Sequence, residues 1–275
     1  AAKVIGPLVW VLLLFIGIEF GEIFKDTEAA GKIIYTAGVF AISTTLGACF
    51  FIYIFSKSSQ LQKLDTSKKK NTNITEPIKE CAIALSMVFI GVIISLFMPE
   101  KNDISSDLTI ADILLYMLIF VVGIEVVSVQ LSSVWSSASI VFIPILVIIG
   151  SICGGVISSF ILDESMMTSL AISSGFGWFT LSGVLVSSKI GAAYGAIALM
   201  TDLFRELLAI ILMYMFGHSF AKECIGAGGA TSLDSTLPII KQTCSKDAIP
   251  IALGSGFLLT LLAPVLITFF LSTSN

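Results

Sequence analysis

The chain consists of long apolar blocks that are separated by short polar stretches. The first two blocks cover residues 4–20 and 33–55, and each is near or above the roughly 20 residues that a helix needs to cross a bilayer core. Only 12% of the residues are charged, whereas a soluble domain carries about 25%. The sequence therefore predicts an all-α, polytopic membrane protein whose surroundings are lipid.

We predict about nine membrane segments, at residues 4–21, 33–55, 81–98, 110–130, 138–162, 166–186, 191–216, 224–240 and 249–271. The polar stretch 56–80 carries six lysines, whereas the stretch 99–109 carries one. Cytoplasmic loops are rich in Lys and Arg, so we place 56–80 in the cytoplasm. Counting from this loop puts the amino terminus and Lys189 inside. The charge pattern favours a full crossing by 224–240, with Lys241 and Lys246 inside and the carboxyl terminus outside, over a re-entrant loop, which stays the alternative.

A shared pattern indicates an inverted repeat. Residues 12–19 (LLLFIGIE) match residues 118–125 (LIFVVGIE) at an offset of 106 residues. The copies begin in segments 4–21 and 110–130, which run in opposite directions, and inverted repeats are typical of transporters. Apolar matches also arise by chance between lipid-facing helices, so the interpretation depends on the shared Gly-Ile-Glu. We divide the chain into transmembrane halves 1–130 and 131–275, with the loop 56–80 in the first half.

Each copy of the repeat ends in an acid within an apolar block, Glu19 and Glu125. A charge at the centre of a membrane helix costs roughly 2.5 to 3.5 kcal/mol, so its presence suggests a function. We predict that both acids bind substrate and that Glu19 also takes part in proton coupling. The alternative is that each acid sits at a helix end and reaches the membrane interface.

A second group of intramembrane charges lies in segment 191–216, where Asp202, Arg205 and Glu206 follow one another at helical spacing. Asp202 and Glu206 share one face of the helix, and Arg205 is three residues from Asp202. Arginine stays charged, so we expect Arg205 to form a structural ion pair with an acid. Asp202 and Glu206 then remain candidates for proton coupling.

Two segments, 172–185 and 224–240, are too rich in Gly, Ser and Thr for ordinary membrane helices. Irregular backbone at membrane depth is tolerated where it is buried in protein or lines a cavity, which is where transporters bind substrate. A half-helix near Thr231 and Ser232 would offer N–H groups to a carboxylate. Asp234 would bind an ammonium group and take part in proton coupling. Alternatively, the glycines serve only close helix packing.

Further candidates for the substrate site lie in the same two segments: Ser174, Trp178, which could stack on a cation, and Gly229. No Walker loop, dinucleotide fingerprint, HExxH or Ser/His/Asp set occurs, which disfavours an ATP-driven pump or a hydrolase. We therefore expect a transporter rather than an enzyme. We expect no cofactor, no metal ion and no nucleic-acid partner.

Three linked motifs resemble the bacterial lysine exporter family: residues 174–183 (SGFGWFTLSG), 202–207 (DLFREL) and 229–238 (GATSLDSTLP). The resemblance implies a multi-pass inner-membrane protein that exports L-lysine and its analogue thialysine, with Asp234 and Glu19 as the required acids; a homodimer stays open. Family members usually carry one more hydrophobic helix before the segment that opens this chain. Thr201 and Ser255 stand where the family pattern leads us to expect Asn and His.

We therefore predict lysine export by proton antiport. The lysine carboxylate would be held by the backbone of residues 229–232. Its ammonium groups would be held by Asp234 and an acid among Glu19, Glu125 and Asp202. A cation/proton antiporter or an organic-anion carrier of related inverted-repeat architecture is the alternative. A passive channel would require flux that is not coupled to a proton gradient.

Overall fold

The computed structural model describes residues 27–58, 75–97 and 139–273, together with scattered positions between 7 and 21 and residues 113, 114 and 117. Glu19, Glu125 and most of the proposed repeat lie outside the described residues. The repeat and the division into two halves therefore stay predictions.

The described elements are helical. In chain order they are α1 (Thr27–Ser58), α2 (Thr75–Phe97), α3 (Ser139–Leu162), α4 (Met166–Ser173), α5 (Phe179–Ile190), α6 (Ala192–Phe216), α7 (Ala221–Gly228), a 3₁₀ helix (Gly229–Leu233), α8 (Leu237–Thr243) and α9 (Ala248–Ser272). Three of these helices are long and apolar enough to cross a membrane: α1 over Glu28–Phe55, α3 and α9. Helix α6 is as long as α9, with 25 residues, but it carries the charges Asp202, Arg205 and Glu206.

Helices α1 and α3 pack antiparallel through small residues. The rings of Phe55 and Phe142 lie 6.3 Å apart near one end of the pair, and Ser43 Oγ lies 2.6 Å from Ser158 Oγ toward the other end. Between them the backbones approach closely, since a Cβ added to Gly150 would lie 2.5 Å from the Gly47 oxygen. We call the end of the bundle where α1 ends the lysine-loop side, after the lysine-rich stretch 56–80 that follows, and the opposite end the far side.

Residues 166–190 form a hairpin, hairpin A, whose ends both lie on the far side. Tyr194 at the start of α6 donates a hydrogen bond of 2.9 Å from its hydroxyl to Glu164 Oε2, just before α4. Thr273, at the end of α9, places its Oγ1 3.5 Å from Met167 Sδ. The eight residues of α4 rise about 12 Å, which is half of the membrane core or less. The prediction that 166–186 crosses the membrane is therefore wrong.

Residues 221–243 form hairpin B, which enters from the lysine-loop side. Gly217 at the end of α6 lies beside Thr243 at the end of α8, because a Cβ on Gly217 would be 2.9 Å from Thr243 Oγ1. The chain enters the hairpin on the same side, because the ring of Phe220, just before α7, lies 6.2 Å from that of Tyr53 near the end of α1. The full crossing expected for 224–240 is therefore also wrong.

Positive backbone φ angles permit both reversals. Phe176 and Gly177 have φ of 53° and 93°, and Gly229 has φ of 61°, a region that glycine enters without steric cost. Because neither hairpin crosses the membrane, the predicted side of the end of hairpin A changes. Lys189 lies on the far side, contrary to the prediction, because 166–190 does not cross, whereas Lys241 and Lys246 lie on the lysine-loop side.

Candidate functional site

The tips of the two hairpins meet inside the bundle. The Ala230 N–H donates a hydrogen bond of 2.9 Å to the carbonyl oxygen of Phe176. A Cβ on Gly229 would overlap that same oxygen, and a Cβ on Gly177 would lie 3.1 Å from the Gly228 oxygen. We call residues 175–177 together with 228–230 the hairpin junction. All six of these residues are buried.

Asp202 on α6 lies at the start of α5. Its Oδ1 accepts a hydrogen bond of 2.7 Å from the Gly177 N–H, and its side chain is 1% exposed. The carboxyl group packs so closely on Gly175 that a Cβ there would overlap Oδ2. Ser182 lies near enough to interact with the same carboxyl group. The acid is thus enclosed by hairpin A.

Arg205, one turn further along α6, lies at the end of α7. Its Nε donates to the Ala227 oxygen at 3.1 Å, its Nη2 to the Gly226 oxygen at 3.3 Å, and its Nη1 to Ser151 Oγ on α3 at 2.9 Å. It also interacts electrostatically with Asp202. The hydrogen bonds of Arg205 go to backbone carbonyls and a hydroxyl, and the expected ion pair stays a prediction.

Two hydroxyls complete the end of α7. Ser232 Oγ donates to the Ile225 oxygen at 2.9 Å, and Thr231 Oγ1 donates to the Gly228 oxygen at 2.8 Å. Together with the two bonds of Arg205, they give side-chain donors to all of the last four carbonyls of α7, residues 225–228. A helix leaves these four groups without an intrahelical partner, and the bundle interior offers no bulk water to replace one.

Asp234 lies at the tip of hairpin B, between the 3₁₀ helix and α8. Unlike Asp202, its side chain is exposed, and its Oδ1 accepts a hydrogen bond of 2.6 Å from the Ser235 N–H. An exposed acid at the tip of this hairpin is compatible with the predicted binding of an ammonium group, which stays a prediction. Glu206, in contrast, is buried on α6.

The remaining candidates lie around the junction. Ser174 is buried and donates from Oγ to the Leu170 oxygen within α4 at 2.7 Å, although its oxygen can still accept a hydrogen bond from a ligand. Trp178 is half-buried at the N-cap of α5. The structure therefore brings Ser174, Trp178, Gly229, Thr231, Ser232 and Asp202 to one region.

Sequence reasoning missed Ser151, which contributes to the site from α3. No motif marks this serine, and only the tertiary structure brings its hydroxyl to Arg205 Nη1. The hydroxyls of Thr201 and Ser255 are buried and form no hydrogen bond with any described residue. Across the part of the chain that the structure describes, no cluster of three His, Cys, Asp or Glu side chains is arranged to hold a metal ion.

Interrupted hairpins that meet within an apolar helical bundle are the architecture of a membrane transporter. The family model described as "Lysine exporter LysO" matches residues 85–271. The chain belongs to this lysine exporter family and is therefore a membrane amino-acid exporter. No solved structure matches the chain.

Two relatives agree with this placement. The chain is 31% identical over 284 residues to "Lysine exporter LysO" of Escherichia coli strain K12, a match that covers 98% of this chain and 91% of that protein. It is 35% identical over 196 residues to "Putative lysine exporter" of Haemophilus influenzae, which covers 68% of this chain and 96% of that protein.

Proposed function

We propose that this protein exports L-lysine, and analogues such as thialysine, across the bacterial inner membrane in exchange for protons. Support for the substrate comes from the family and from the names of both relatives. Support for the mechanism comes from acids at the depth of the hairpin tips. Lysine carries two ammonium groups and a carboxylate, so its site needs acids as well as hydrogen-bond donors.

The observation that carries the proposal is the position of Asp234. The eight residues of α7 bring the chain about 12 Å in from the lysine-loop side, and Asp234 then lies exposed at the turn. Its carboxylate binds one ammonium group of lysine. The half-helix expected near Thr231 and Ser232 is replaced by the 3₁₀ helix, and α8 begins at Leu237. The N–H groups of Gly229 and Ala230 already bond to carbonyls. We therefore assign the lysine carboxylate to polar groups of Thr231 and Ser232, with Ser174 and Trp178 nearby. Glu19 or Glu125 is the partner for the second ammonium group.

Proton exchange also requires carboxylates. A carboxylate at membrane depth is stabilised when a cation or a proton neutralises it, so lysine and protons compete for the acid. We assign this exchange to Asp234, with Glu206 and Glu19 as further proton carriers. Export of one positive charge against 100 mV costs about 2.3 kcal/mol, which one returning proton cancels.

The test is counterflow of labelled lysine in proteoliposomes, with Asp234→Asn as the variant. The amide cannot neutralise an ammonium group, and loss of a charged hydrogen bond costs about 1.5 to 3 kcal/mol. We therefore expect counterflow to fall by at least about tenfold. The matched control is Asp247→Asn, an exposed acid before α9, which should transport like the unsubstituted protein.

Two results would contradict the proposal. Active protein with sodium-dependent uptake and no response to lysine would favour the cation/proton antiporter or the organic-anion carrier. Proton-coupled lysine counterflow of unchanged rate in Asp234→Asn would remove Asp234 from the site. Glu206→Gln, measured with an internal pH dye, tests the proton carrier separately, and we expect it to lose lysine-driven proton movement.

A further inference from the structure

Two half-helices end at the hairpin junction inside the bundle. Helix α5 begins just after Gly177, and helix α7 ends at Gly228. The start of a helix exposes N–H groups and a partial positive charge, and its end exposes carbonyls and a partial negative charge. Within a membrane no bulk water can solvate these groups. Protein side chains must therefore supply the compensating charges.

One turn of α6 supplies both compensating charges. Asp202, which is negative, bonds to the Gly177 N–H, one residue before Trp178, the N-cap at the positive start of α5. Arg205, which is positive, bonds to the Gly226 and Ala227 carbonyls at the negative end of α7. The two residues are three positions apart, so a single rigid helix fixes the distance between the two hairpin tips.

We propose that Asp202 and Arg205 are positioning residues of the transport site, which hold the tips of hairpins A and B together and thereby place Asp234. The inference rests on the proposed function, because Asp234 is the group positioned. Ser151 extends the arrangement to α3, since it accepts the third hydrogen bond of Arg205. Asp202 then acts as a fixed hydrogen-bond acceptor, and it is not one of the proton carriers that the sequence suggested.

The geometry separates this role from that of a proton carrier. Asp202 Oδ1 accepts a hydrogen bond from a backbone N–H, and Oδ2 is packed so closely on Gly175 that a Cβ there would overlap it. Among the described residues, Oδ2 has no hydrogen-bond partner. An asparagine keeps an oxygen that accepts the same hydrogen bond, whereas a glutamate is too long for the space. A proton carrier has the reverse requirement, because glutamate can bind a proton and asparagine cannot.

The first experiment compares Asp202→Asn with Asp202→Glu in lysine counterflow and in lysine-driven proton movement. For Asp202→Asn we expect a rate lower by about two- to fivefold, from the lost charge at the helix start, with an unchanged pH profile. For Asp202→Glu we expect a rate lower by at least about tenfold and a higher half-saturation concentration for lysine, because the acceptor is displaced. The proposal would be overturned if Asp202→Asn lost lysine-driven proton movement while Asp202→Glu kept both lysine counterflow and proton movement.

A milder variant keeps the proposal testable if those two proteins do not fold. Ser151→Ala removes one contact of Arg205 and leaves its carbonyl contacts in place, with the exposed Ser188→Ala as the control. We expect faster amide deuterium exchange over residues 226–236 in Ser151→Ala alone. Equal exchange in both variants would overturn the positioning role. This measurement needs no lysine. Absence of lysine counterflow in the unsubstituted protein would therefore contradict the proposed function and leave the positioning role to be judged by deuterium exchange.

Discussion

Single glycines at the hairpin junction set how closely its parts approach. Gly175 faces the carboxyl group of Asp202, and Gly229 faces the Phe176 oxygen. At both positions a side chain would occupy space already filled by an oxygen atom. Gly229 also has a positive φ, which adds a conformational requirement to the steric one. The small residues of the two interrupted segments thus bring polar groups into contact, and they do more than allow helices to pack.

We predict that Gly175→Ala lowers stability and transport together. The added methyl group overlaps Asp202 Oδ2, and overpacking of this kind costs about 1–3 kcal/mol. The expected result is a lower unfolding temperature in detergent and a lower rate of lysine counterflow. Gly31→Ala is the control, because a Cβ at Gly31 has nothing within 4 Å. Equal unfolding temperatures for the two variants would contradict this interpretation of Gly175.

At the scale of elements, the bundle combines long helices with half-helices. Helices α1 and α3 lie close enough for backbone contact at Gly47, Gly150 and Gly154, which suits membrane helices that associate by packing. The half-helices α4, α5, α7 and α8 are too short to cross. Side chains from α6 bond next to the start of α5 and to the end of α7, and two hydroxyls of hairpin B complete the end of α7. The long helices therefore support a polar centre that the half-helices form.

We predict that Gly150→Ala separates α1 from α3. A Cβ at Gly150 would lie 2.5 Å from the Gly47 oxygen and 2.6 Å from the Ala48 nitrogen, so a backbone must move. The expected loss of stability is about 1–3 kcal/mol, measured as the unfolding midpoint in a denaturing detergent. The control is Gly38→Ala on α1, where a Cβ meets nothing within 4 Å. Its unfolding midpoint should equal or exceed that of the unsubstituted protein. A Gly150→Ala midpoint as high as that control would argue against a close α1–α3 contact.

At the scale of the whole molecule, the two hairpins extend inward from opposite sides and meet at their tips. Hairpin A shares the far side with the start of α6, through Tyr194 and Glu164. Hairpin B shares the lysine-loop side with the end of α6, through Gly217 and Thr243. Helix α6 runs from the far side to the lysine-loop side and so connects the two hairpins. Hairpin A thus enters the bundle from the far side and hairpin B from the lysine-loop side, and a hydrogen bond at the hairpin junction joins their tips.

We predict the sidedness of four exposed positions from this arrangement. A membrane-impermeant maleimide should label Ser165→Cys and Ser188→Cys from one side, and Ser219→Cys and Lys246→Cys from the other. Labelling in right-side-out and inverted vesicles measures this, with the unsubstituted protein as the background. Opposite labelling of Ser165→Cys and Ser188→Cys, or of Ser219→Cys and Lys246→Cys, would restore the crossings that the sequence predicted.

Much of the site could be predicted from sequence because its residue types are unusual for a membrane. Charges such as Asp202 and Arg205 are costly in lipid, and Gly-rich runs do not form regular membrane helices, so both stand out within apolar blocks. The partners of these residues could not be predicted. Ser151 is an ordinary serine in an apolar helix, and the carbonyls of Gly226 and Ala227 have no sequence signature. Hydrogen bonds to backbone depend on packing, which residue types do not record.

The sequence by itself determined that the protein lies in a membrane, which two segments are interrupted and which family it belongs to. The physical reason is that hydrophobicity and backbone preference are local properties of the chain. Only the tertiary structure decided whether an interrupted segment crosses or returns, since a chain of 23 or 25 residues is long enough for either path. The contacts between the ends of each hairpin and α6 decide in favour of return, and they bring the two interruptions together.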